Sequence, residues 1–191
     1  MAGEQPNPLH VCLGGGRNYA AEVVAQAVSA VALVLLAASG LTKLLDPNPT
    51  RGAMEAARLP SSLWIARGLG LVEVFAAVVG LGLGGPMLFI PVLLYLGFFV
   101  FTLVAVQQRL PIQSCGCFGR EDTPPTVLHV AYNATSALAL AYIAIMALPS
   151  VPWGAPPLEI GLYIAFAVVG AYLAYLLLSQ LPRTLQMTST P

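Results

Sequence analysis

The chain has 191 residues, 58% of them hydrophobic and only 8% charged, whereas a soluble domain carries roughly 25% charged residues. Eight Lys/Arg balance eight Asp/Glu, and no basic cluster is long enough to hold a polyanion, which excludes nucleic-acid binding. With a mean hydropathy of +0.81, this is the composition of a multi-pass integral membrane protein whose main partner is the lipid bilayer.

A spanning helix needs about 20 mostly apolar residues to cross a hydrocarbon core of roughly 30 Å. Five stretches qualify, at residues 20–41, 63–83, 87–106, 126–148 and 160–181. The expected fold is therefore an all-α polytopic membrane helix bundle of about five transmembrane helices. It forms one domain over residues 20–181, between a polar tail at 1–19 and a short tail at 182–191.

In chain order, the first span has some signal-peptide character. Residues 23–36 resemble an apolar h-region, and Ala37-Ala38-Ser39 resembles a cleavage site. The segment is long enough to span, so it is expected to be retained. The polar loop 42–62 follows, with Lys43, Asp46, Arg51 and Arg58 expected as interfacial anchors and Asp46-Pro47-Asn48-Pro49 as a rigid turn.

Span two contains Arg67 and Glu73. A carboxylate in hydrocarbon costs roughly 3 kcal/mol on insertion scales, which makes Glu73 a functional candidate, as proton relay or as hydrogen-bond partner of a ligand. The alternative is a carboxyl bonded to a neighbouring helix. Arg67 lies six residues earlier, about 240° round the helix. It is not on the same face, and it is expected to snorkel to the interface.

Gly84-Gly85-Pro86 turns span two into span three, and the second polar loop, 107–125, carries Ser114-Cys115-Gly116-Cys117-Phe118-Gly119-Arg120. Two intervening spans return the chain to the side it left, so both polar loops lie on one face. Span four opens with His129, Tyr132 and Asn133, spaced to share one face below the cysteines. That face suits either a quinone-like headgroup or hydrogen bonds between helices. Small residues four apart, at Ala25/Ser29, Gly80/Gly84 and Ala131/Thr135/Ala139, are candidate packing contacts. Residues 149–157 (PSVPWGAPP), with Trp153 at an interfacial position, connect to span five.

Six of the eight Lys/Arg, namely Lys43, Arg51, Arg58, Arg109, Arg120 and Arg183, fall on the face of the polar loops. The positive-inside rule makes that face cytoplasmic. Cys115 and Cys117 stand two apart on it, a separation that a disulfide tolerates with some strain. A strained bond exchanges readily, and Arg109 or Arg120 would favour a thiolate. Two other readings stand beside redox exchange: a tight structural turn, or a soft-metal site for Cu(I) or Zn²⁺, for which His129 is the one later ligand candidate. Cys12 lies on the opposite side and is expected to be a free thiol.

The run GLTKLLDP (Gly40 to Pro47), the pair Leu59-Pro60, Glu73, and CGCFG (Cys115 to Gly119) before an Asn-bearing span resemble the methylamine utilisation protein MauE family, within the DoxX-like membrane proteins. The resemblance covers about residues 23–148 and implies a DoxX-like four-helix core plus one C-terminal span. It also implies a redox-associated membrane protein that makes, isomerises or reduces disulfides with a thioredoxin-like partner. On that basis Cys115 and Cys117 are the exchanging pair and Glu73 the intramembrane carboxylate. A second cysteine pair, as in quinone-linked disulfide oxidases, is not present, so a partner must supply one step. A noncatalytic scaffold that docks a partner oxidoreductase is the alternative.

Overall fold

The computed structural model describes residues 19–110, 112 and 124–180. Helix α1, Tyr19–Leu45, runs past the expected end at 41. The hydroxyl of Thr42 donates to the Ser39 carbonyl at 2.8 Å, and Lys43 is taken up inside the bundle, so neither polar residue stops the helix. A short helix α2, Asn48–Ala56, then stands where a turn and loop were expected. The Asp46 carboxylate accepts from the backbone and side-chain amides of Asn48, at 3.2 and 2.9 Å. Pro49 falls in the first turn, where its missing N–H costs nothing.

Helix α3, Leu63–Leu83, is capped by Ser62, whose hydroxyl accepts from the Ile65 N–H at 3.1 Å. Gly84 and Gly85 turn the chain at φ +62° and +52°, the left-handed region that favours glycine. A 3₁₀ turn, Gly85–Leu88, leads into α4, Phe89–Gln107. Helices α5, Val127–Ile145, and α6, Pro157–Ser179, complete the described chain. Among the described residues there is no strand, and α1, α3, α4, α5 and α6 are each long and apolar enough to cross a membrane. The chain is thus a multi-pass integral membrane protein.

Helix α1 is the central element and touches α3, α5 and α6, while α4 packs mainly on α5. In lipid, helix association depends on close fit more than on apolar burial. The α1/α3 crossing is built on that principle: a Cβ on Gly40 would lie 2.6 Å from the Gly70 carbonyl oxygen, and one on Gly70 would lie 2.8 Å from that of Gly40. Further along, Gly80 admits Leu33 of α1, which would come within 2.9 Å of a Cβ there. Leu33, Leu36, Ala77, Leu88, Leu140 and Ile143 fill the core between these helices. Tyr95 joins them, its hydroxyl donating to the Ala32 carbonyl at 2.7 Å.

Two of the expected small-residue contacts differ. Gly84 serves the turn rather than a helix face. On α5 the buried stripe runs through His129, Asn133, Ser136, Ala137 and Leu140, which leaves Ala131 and Thr135 facing outward. Helix α6 is peripheral, burying only Ala167, Ala171, Leu178 and Ser179. It leans on α1 where Gly170 meets Val31, and its Tyr163 hydroxyl lies 3.0 Å from the Gln26 carbonyl and 2.7 Å from that of Ser150.

Candidate functional site

The glycine crossing of α1 and α3 creates the site. In an α-helix each Cβ tilts toward the N-terminus, so the stem of Lys43, one turn beyond Gly40, runs back over Gly70. Its Cβ would be 3.0 Å from a Cβ at Gly70, and the Cβ of Glu73 would be equally close to one at Gly40. The absence of both side chains lets Lys43 reach Glu73. Its ammonium lies 3.0 Å from Glu73 Oε2, with the side chains 3% and 0% exposed. It also donates to Ser39 Oγ at 2.5 Å and stands 5.7 Å from the centre of the Phe98 ring, within cation–π range. The other carboxylate oxygen, Oε1, has no hydrogen-bond partner among the described residues.

This geometry corrects the reading of Lys43 as an interfacial anchor. Arg51 and Arg58 are exposed, as anchors should be, and Arg67 is exposed on the outer face of α3. Lys43 and Ser39 are the residues that the sequence reading missed. The signal was the helical spacing of Ser29, Leu33, Leu36, Gly40 and Lys43, which puts Lys43 on the buried stripe of α1 once the helix continues past residue 41. Ala66, Gly70, Glu73, Ala77 and Gly80 form the matching stripe on α3.

The polar face of α5 lies beside this pair. His129 caps the helix, its Nδ1 accepting from the Thr126 backbone N–H at 3.3 Å. Asn133 Nδ2 donates to Thr102 Oγ1 of α4 at 3.4 Å, and Tyr132 meets Tyr95 edge-on at 6.1 Å. With Ser39 and Phe98, the three residues line a pocket of about 30 Å³, roughly the volume of one water. Ser39 therefore connects the α5 polar face to the ion pair. A second cavity, of about 250 Å³, also touches Phe98 and is lined by Lys43, Leu69, Phe101 and Thr102 among others.

Cys12, Cys115 and Cys117 lie outside the described residues. The residues flanking the CGCFG connection are described: Ile112 packs with Ala53 of α2 and Ala105 of α4, and Thr126 opens α5. Those flanks are at the end of the bundle where α1 finishes and α3 starts, the end that holds Lys43. Among the described residues no group of His, Cys, Asp and Glu is arranged to hold a metal.

In comparisons with known proteins, the family model for methylamine utilisation protein MauE matches residues 21–150. No curated protein and no solved structure matches. The matched region runs from the first turn of α1 through α5 and stops before α6.

Proposed function

We propose that this chain, which belongs to the methylamine utilisation protein MauE family of membrane proteins, exchanges disulfides with a thioredoxin-like partner through Cys115 and Cys117. The observation that carries the reading is the motif CGCFG, on a connection whose described flanks adjoin the bundle end holding the Lys43–Glu73 pair. In the exchange, the thiolate of one cysteine attacks the partner's disulfide and forms a mixed disulfide. The second cysteine then displaces the partner as a dithiol, so two electrons and two protons pass to the partner as Cys115–Cys117 closes. The reverse reaction reduces the pair. The exposed Arg109 at the end of α4 supplies a cation near the connection, and cationic neighbours favour the attacking thiolate. Buried Lys43 and Glu73 tie α1 to α3, with Glu73 available for proton coupling.

Single substitutions test this. Cys115→Ser and Cys117→Ser should each block turnover, and the variant that keeps the attacking thiol should trap a mixed disulfide with its partner, visible on non-reducing gels. If the double Cys→Ser variant still supports disulfide maturation in its partner, the exchange role fails and the chain acts as a docking scaffold.

A further inference from the structure

The cavity of about 250 Å³ between α1, α2, α3 and α4 is a product of the topology. Helix α3 leans on α1 and α4 leans on α5, and α3 and α4 touch each other little. Leu69, Leu93, Gly97, Phe98 and Phe101 form apolar walls, and the buried Lys43 and Thr102 are also among the lining residues. Leu93 and Gly97 are exposed, so the cavity opens on the surface that the spanning helices present to lipid.

The lining defines the chemistry of an occupant. An apolar opening toward hydrocarbon selects a lipophilic molecule. Lys43 has three N–H donors, and its hydrogen bonds among the described residues go to Ser39 and Glu73, which leaves one direction for an acceptor. That acceptor should be neutral. Glu73 already balances the ammonium at 3.0 Å, and a second anion would be a buried charge without a counter-ion. Phe98 and Phe101 offer flat faces to a ring. The volume lies just below the roughly 300 Å³ at which sites for drug-sized ligands begin, which fits one substituted ring. The pocket beside His129, Tyr132 and Asn133 has room for about one water and is too small for a ring.

We infer that the α1–α4 cavity binds a neutral, lipophilic ring carbonyl compound of the quinone class, with a ring oxygen accepting from Lys43 and the ring lying against Phe98 and Phe101. This binding stands on the cavity and the ion pair and holds whether or not Cys115 and Cys117 exchange disulfides.

The test is titration of the purified full chain in nanodiscs with decylubiquinone, with decanol as a ring-free control. Two variants separate shape from hydrogen bonding. Gly97→Leu fills the cavity from a position where a Cβ meets nothing within 4 Å. Lys43→Met with Glu73→Gln removes the donor without leaving an unpaired charge. Saturable decylubiquinone binding is expected, about tenfold or more weaker in each variant, with decanol failing to compete. Absence of saturable binding, equal competition by decanol, or weakening by Gly97→Leu alone would overturn the inference. The first outcome leaves the cavity without a ligand of this class, the second makes it a lipid-filled gap, and the third removes Lys43 from recognition.

Discussion

Lys43 and Glu73 are stable inside the bundle because each neutralises the other. Moving one charged group from water into a low-dielectric interior costs several kcal/mol, and attraction at 3.0 Å offsets that only while both partners remain. Glu73→Gln should therefore destabilise the protein by about 3–5 kcal/mol, leaving the Lys43 ammonium unpaired. Replacing both, Lys43→Met with Glu73→Gln, should recover much of the loss. Unfolding of the purified variants in mixed micelles checks the order, and a double variant no more stable than the single one would contradict the pairing. Glu73 was legible in the sequence as a carboxylate inside an uncharged run. Lys43 was not, because a lysine at the end of an apolar stretch is ordinarily an interfacial residue. Only the continuation of α1 to Leu45 turns it inward. The α5 residues were legible as a polar face, but their division of labour needed coordinates: His129 caps its helix and Asn133 ties α5 to Thr102.

At the scale of elements, the contact between α1 and α3 depends on two missing side chains. Gly70→Ala would set a Cβ 2.8 Å from the Gly40 carbonyl and 3.0 Å from the Lys43 Cβ. Backbone cannot yield as a flexible side chain does, so the helices must separate, at an overpacking cost of about 1–3 kcal/mol. Gly68→Ala, where a Cβ meets nothing within 4 Å, should be close to neutral or slightly stabilising through helix propensity. Comparing the two unfolding midpoints tests the crossing, and equal effects would argue against it. The five spans themselves were readable from hydropathy and length. Helix α2 was not, because Asp46-Pro47-Asn48-Pro49 is turn chemistry that here starts a helix. Asp46 accepts from both amides of Asn48, and the new helix buries Thr50 and Ala53. Small-residue spacing identified Gly80 but not Gly40 and Gly70, which lie on facing helices rather than four apart on one.

On the scale of the whole molecule, the ion pair joins α1 to α3 with Phe98 of α4 beside it, α4 and α5 complete the family-matched spans, and α6 is an outer helix on α1. Both polar connections leave this bundle at one end, where α1 finishes and α3 starts. The bundle supplies a rigid frame with a charged pair beneath that end, and the proposed chemistry belongs to the two cysteines on the connection between α4 and α5. The most direct measurement is mass-tagging of thiols in acid-quenched cells with a maleimide polymer, in a Cys12→Ser background, before and after reduction. If Cys115 and Cys117 exchange disulfides, part of the population should gain two tags only after reduction, and that fraction should rise with a mild oxidant and fall with dithiothreitol. Two thiols tagged in full without reduction, whatever the redox treatment, would contradict the exchange.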